Sequence, residues 1–99
     1  MEAYCLNLKK LLASSGRQKI LEALSKSQGM NVMSVVRKIN STYNETNRNL
    51  KILEQEGIIV TGFYGRVRYI KLNRENPKTT LLLQALKTLE TEKNHLFYE

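Results

Sequence analysis

The apolar positions change period along the chain, and the changes mark its elements. Leu6, Leu8, Leu11 and Leu12 predict a short first helix, broken near Ser14-Ser15-Gly16. Ser15 followed by Gln18 has the spacing of a capping box and opens a second helix, with Ile20, Leu21 and Leu24 on one face, before Gly29 interrupts. Asn31 is the expected cap of a third helix, in which Val32, Val35, Val36 and Ile39 recur at helical spacing. β-Branched residues are weak helix formers, so packing has to hold that helix together. Asn40-Ser41-Thr42 reads as a turn. Thr42 and Glu45 then make a second capping box, for a helix that runs to about Glu56 and stops at Gly57.

Beyond Gly57 the pattern turns β-rich. Ile58 to Phe63 and Arg66 to Leu72 read as two strands of a hairpin separated by Tyr64-Gly65. Asn76-Pro77 starts a last helix, with Asn as cap and Pro at the first helical position. In it Leu82, Leu86, Leu89 and Leu96 follow a four-three spacing that Lys93 interrupts. This stripe either completes the core of the monomer or pairs with its twin in a second copy. With Leu8, Leu11 and Leu12 added from the first helix, the expectation is a dimer interface. The predicted fold class is mainly α with a small β-hairpin, organised as a domain over 1–76 and an amphipathic dimerisation helix over 77–99.

One helix departs from the ordinary pattern. From Asn40 to Asn49 no aliphatic residue occurs, although a small domain has little core material to spare. In the helix that follows Thr42, the positions Thr46, Leu50, Leu53 and Gly57 share one stripe, which leaves Asn44, Asn47, Arg48, Lys51 and Gln55 together on the opposite side. A generic solvent face is usually Glu and Lys. Asn is a poor helix former, and its repeated use asks for a reason. Asn can present a donor and an acceptor to adenine, and Arg can give a two-pronged bond to guanine, in a major groove wide enough for a helix.

Charge sharpens this picture. The 99 residues carry 16 Lys and Arg against 9 Asp and Glu, a formal charge of +7, which favours an anionic partner. The excess lies at residues 1–40, where the net charge is +5, and at 58–76, where it is +3. Arg66 and Arg68, with Lys71 and Arg74 beyond, suit a hairpin pressed on phosphates or reaching into a minor groove, and Arg37 and Lys38 stand just before the turn, where a backbone contact is expected. Cys5 stands alone, so no intrachain disulfide is available. The first 15 residues lack the continuous apolar run of a secretion signal, and no stretch approaches the roughly 18 apolar residues of a membrane span. The expectation is a cytoplasmic, nucleoid-associated protein without a membrane partner.

The run Thr46-Asn47-Arg48-Asn49-Leu50-Lys51-Ile52-Leu53-Glu54-Gln55-Glu56-Gly57-Ile58-Ile59, followed by Gly65-Arg66-Val67-Arg68-Tyr69-Ile70-Lys71-Leu72, resembles the recognition helix and wing of winged helix-turn-helix repressors of the ArsR and MarR kind. Gly16-Arg17-Gln18-Lys19-Ile20-Leu21-Glu22-Ala23-Leu24 is similar to their helix before the motif, so the likeness covers about residues 14–72. It implies double-stranded DNA as partner, with Tyr43, Asn44, Asn47, Arg48 and Lys51 in the major groove and Arg66 and Arg68 as wing contacts. Metal-sensing ArsR relatives place paired cysteines in the helix that here reads Val32 to Ile39, and this sequence has none there; with only Cys5 and His95 as soft ligands, no metal or other cofactor is expected. No small-molecule effector is evident. A symmetric homodimer would present two polar helices about 34 Å apart, and hence read a palindrome.

An enzyme is disfavoured by a single His, a single Cys and no Gly-rich phosphate loop. The same scaffold can serve as a protein-binding adaptor, because fold does not settle function. Tyr43, Phe63, Tyr64 and Tyr69 could stack exposed bases of RNA, although such aromatics are more often partly buried packing residues.

Overall fold

The computed structural model describes residues 9–98, with side chains through residue 89. Helix α1, described over 9–12, leads into α2 (Ser15–Ser25), β1 (Met30–Asn31), α3 (Val32–Ile39), α4 (Tyr43–Gln55), β2 (Ile59–Tyr64), β3 (Val67–Leu72) and α5 (Pro77–Tyr98).

Local side-chain chemistry fixes where the helices begin. Asn31 Oδ1 accepts the Ser34 amide at 2.8 Å, Thr42 Oγ1 accepts that of Glu45 at 3.1 Å, and Asn76 Oδ1 accepts that of Lys78 at 3.0 Å, all as the sequence predicts. The start of α2 is shifted by one residue from the expectation. Ser14, not Ser15, is its cap, taking the Arg17 amide at 3.3 Å, while Gln18 turns its side chain back to the Leu12 carbonyl. At Thr42 only half of the capping box forms, because the Glu45 carboxylate accepts from the Ser41 hydroxyl instead.

Two helices end in the same way. The amides of Asn40 and Ser41 donate to the carbonyls of Arg37 and Val36, with Asn40 left-handed at φ 53°, and those of Gly57 and Ile58 donate to Glu54 and Leu53, with Gly57 at φ 74°. Both are Schellman closures, in which the left-handed residue lets the chain reverse while the last carbonyls stay bonded. The first closure sets the tight turn between α3 and α4. At the second, the Asn76 amide nitrogen lies 2.9 Å from the Gly57 carbonyl, and a Cβ built on Gly57 would stand 2.9 Å from that same nitrogen. Gly57→Ala is therefore expected to combine left-handed strain with a broken junction. A loss of about 1–3 kcal/mol is predicted, read as a lowered midpoint in urea denaturation.

The sheet is antiparallel, in the order β1-β3-β2. Tyr64 pairs with Val67, so the hairpin turn is Gly65-Arg66 rather than the expected Tyr64-Gly65, with Gly65 at φ 62° as a two-residue turn of this kind needs. Strand β1 had no counterpart in the sequence reading. Met30 and Asn31 pair with Ile70 and Tyr69, tying the segment before α3 to the wing.

The core collects one face of every helix. Leu11, Ile20, Leu21, Leu24, Val32, Val35, Val36, Ile39, Leu50 and Leu53 meet Ile58, Ile59, Ile70 and Leu72, and Leu82 and Leu86 from α5 belong to the same cluster. This corrects the dimer assignment for three leucines. Leu11 and Leu82 are fully buried and Leu86 is 6% exposed within one chain, so none of them is free to meet a second copy. Leu12 packs against the core from its edge, whereas Leu89 is 36% exposed. The side chains of Leu8 and Leu96, like those of Cys5 and His95, lie outside the described residues. The start of α5 and the loop before it are also stitched to the body by polar contacts: Thr79 Oγ1 donates to the Ile58 carbonyl at 3.4 Å, and Asn73 Nδ2 donates to that of Gly57 at 3.1 Å.

Candidate nucleic-acid interface

Because Thr46, Leu50 and Leu53 are buried, the side of α4 that carries Asn44, Arg48, Lys51 and Gln55 faces solvent. Tyr43, at the leading end of the helix, is 47% exposed. Among the described residues, Arg48 and Lys51 have no ion-pair or hydrogen-bond partner, and neither do Arg37, Lys38 and Arg66; the ion pairs found are Lys26–Glu22 and Lys78–Glu56, away from this face. A row of unpaired cations beside a polar helix leaves its field open to an anion.

The asparagines of the polar stretch divide between roles. Asn40 makes the left-handed turn, and Asn44 stays exposed. Asn49 is 7% exposed and turned inward, where its Oδ1 accepts from Arg17 Nη1 at 3.1 Å. Arg17 also donates to the carbonyls of Leu11 at 3.1 Å and Lys10 at 2.8 Å, so one guanidinium joins the end of α1, the start of α2 and the middle of α4. Part of the Asn enrichment thus has a structural cause that the sequence reading missed. Thr46 Oγ1, buried beside these groups, has no hydrogen-bond partner among the described residues.

The wing is held against α4 by two contacts. The Thr61 hydroxyl donates to the Glu54 carboxylate, and Arg68 Nη1 donates to Asn47 Oδ1 at 2.7 Å. Asn47 and Arg68, both expected to face DNA, are partly buried and bonded to each other. Arg66, at the turn, is exposed.

A cleft of about 390 Å³ opens between the start of α3, the start of α4 and the wing, and Met33, Arg37, Tyr43, Arg66, Val67 and Arg68 line it. The structure therefore brings together Arg37 from α3, Tyr43 from α4, and Arg66 and Arg68 from the wing. Lys38 is not part of this group. It lines another cleft with Lys19, Glu22 and Lys26, on the α2 side of α3. The aromatic residues of the wing are more open than expected: Phe63 is 68% exposed and Tyr64 is 75%, with Tyr64 set edge-on to Tyr69 at 5.2 Å. No aromatic signal in the sequence separates these exposed rings from packing residues.

A short turn joining α3 to α4, a polar leading face on α4 and a hairpin tied beside it complete the pattern. The fold is a winged helix-turn-helix. No family model matches the sequence, and comparison with curated proteins also finds no match. Solved winged helix-turn-helix structures do align with it. The antimony-specific transcriptional repressor AntR superposes with a TM-score of 0.84 at 18% identity, over 99% of this chain and 84% of that one. The transcriptional repressor BigR from Xylella fastidiosa gives a TM-score of 0.73 at 22% identity, over 86% and 84%. A homodimeric winged helix-turn-helix DNA-binding domain from Mycobacterium bovis, described as a possible ArsR-family regulator, gives 0.73 at 17% identity, over 98% and 85%. The fold of this chain is thus shared with these transcriptional regulators.

Proposed function

We propose that this winged helix-turn-helix protein is a sequence-specific double-stranded DNA-binding transcriptional regulator of the ArsR type, acting as a homodimer and most simply as a repressor. The observation that carries this reading is the exposed, unpaired set Asn44, Arg48 and Lys51 on α4, flanked by Arg37 and Arg66 across the cleft. A helix face able to hydrogen-bond bases, with cations on both sides to hold phosphates, has the form that major-groove reading requires. The similar structures supply the repressor sense, since AntR and BigR carry that description.

The dimer surface in this reading uses the apolar groups of α5 that the monomer leaves open: Leu81, 42% exposed, and Leu89, which continues the stripe of Leu82 and Leu86 to where it is no longer covered. Two copies would set their α4 helices to adjacent major grooves, about 34 Å apart.

Base reading is tested by fragment selection from random duplex DNA followed by competition binding. Arg48→Ala is expected to cost about 1–3 kcal/mol on the selected site and to relax discrimination at one base pair, leaving other positions unchanged. An Arg48→Ala protein with full affinity and an unaltered sequence profile contradicts a base-reading role for this face. A second reading, binding to unpaired strands, is favoured by the exposure of Phe63 and Tyr64, whose rings could stack on bases. Tighter binding to single strands than to duplex would select it.

A further inference from the structure

The contact between Arg68 and Asn47 decides which half of the Asn47 amide is left for a partner. Guanidinium has five N–H donors and no acceptor, so the Asn47 atom 2.7 Å from Arg68 Nη1 has to be its carbonyl oxygen. The orientation of the amide is thereby set by chemistry. Its Nδ2 amino group then turns the other way and has no partner among the described residues. Asn47 lies between exposed Asn44 and exposed Lys51 on the outer stripe of α4, so the free amino group belongs to the surface that would meet DNA.

Adenine is favoured by asparagine only when both halves of the amide are used: the oxygen accepts from N6 while the nitrogen donates to N7. Here the oxygen is already committed to a cation. An adenine amino group would have to approach the remaining lone pair of that oxygen, against the positive charge of the guanidinium beside it. A base edge that offers only acceptors meets no such conflict. Guanine, with N7 and O6, offers two.

We infer that Arg68 is a specificity-determining positioning residue: by occupying one lone pair of the Asn47 oxygen and setting a cation beside the other, it biases Asn47 toward donating, which favours acceptor edges such as that of guanine over adenine. This inference rests on the duplex-binding reading above. It also takes Arg68 out of the set of phosphate contacts and gives it two tasks, holding the wing to α4 and setting the hydrogen-bonding sense of its neighbour.

The test compares guanine with adenine at the base pair where Asn47→Ala abolishes discrimination, by competition binding of purified proteins. Wild type is expected to hold guanine at least as well as adenine there. Arg68→Met, which keeps an apolar stem of similar reach but no donor, is expected to shift the ratio about ten-fold toward adenine. Asn47→Asp, which keeps an acceptor for Arg68 and strips away the outward donor, is expected to lose the guanine preference while the domain stays folded. A wild-type preference for adenine that depends on Asn47 overturns the inference. So does an unchanged ratio in Arg68→Met accompanied by a uniform loss of affinity and a flatter salt dependence, the signature of a phosphate contact. Absence of any sequence preference in wild type overturns the DNA-binding reading along with this one, whereas specific binding with the ratio unchanged overturns this one alone. The pairing itself has an independent readout in the stability of Arg68→Met, Asn47→Ala and the double variant: non-additive losses support it, and additive losses refute it.

Discussion

Ending the chain after Asn76 is expected to unfold the protein. The cut removes Thr79, Leu82, Leu83 and Leu86, and with them the side of the core that covers α2. Loss of a fully buried leucine side chain costs about 2–5 kcal/mol, and a domain of this size has only about 5–15 kcal/mol in hand. Removing Leu82 and Leu86 together consumes most or all of that margin. The hydrogen bond from Thr79 to the Ile58 carbonyl is lost with the residue, and that from Asn76 to the end of α4 weakens because α5 no longer holds it in place. Circular dichroism and the dispersion of amide proton resonances check the result: collapse of both supports α5 as an integral wall of the core. A truncated chain that stays folded and becomes monomeric would return Leu82 and Leu86 to the interface.

The second large effect concerns charge. Replacing Arg37, Lys38 and Arg66 together by alanine is expected to weaken binding to every duplex, matched or not. Each phosphate contact contributes about 0.9 to the slope of log affinity against log salt, so three lost contacts per protomer flatten that slope by about 2.7 and lower affinity on the order of 10²–10³-fold per protomer at 0.1 M salt. The folded state should be little affected, since these residues are exposed and none has a partner among the described residues. The position of Lys38 in a different cleft from Arg37 and Arg66 makes it the informative member of the set. If Lys38 reaches the backbone on the far side of α3, restoring it alone recovers about a third of the lost slope; if it does not, restoring it recovers none.

Where the sequence foretold the structure, the causes were local. The caps at Asn31, Thr42 and Asn76 depend on a side chain and an amide two or three residues apart, and the reversal at Gly57 depends on one left-handed residue. The valine stripe of α3 faces the core because its period leaves it no other choice. Misplacements of one residue occurred where two neighbours could play the same part, as with Ser14 and Ser15 at a cap, or the residues of the hairpin turn. Strand β1 is too short to carry a period and exists only because β3 lies beside it.

The larger differences came from contacts between distant parts of the chain. A leucine stripe reports that a helix has an apolar side, not whether that side meets its own chain or a copy, and the fully buried Leu82 answers for this molecule. Asn49 and Asn47 look alike in sequence. One turns inward to Arg17, 32 positions away, and the other meets Arg68, 21 positions away. No periodicity records such pairings. Of the residues expected to touch DNA, Tyr43, Asn44, Arg48, Lys51, Arg37, Lys38 and Arg66 are open to solvent, whereas Asn47 and Arg68 are partly sequestered by each other.

In the proposed reading, the outward flank of α4 and the tip of the wing form the DNA-binding surface. Titrating the labelled protein with a selected duplex, while following backbone amide and side-chain resonances, tests that surface most directly. The account predicts that the largest shifts fall on Tyr43, Asn44, Arg48, Lys51 and Arg66, with little change at Val60 and Lys71 on the outer face of the hairpin. Shifts centred on Val60, Lys71 and Gln28, with α4 undisturbed, would contradict it.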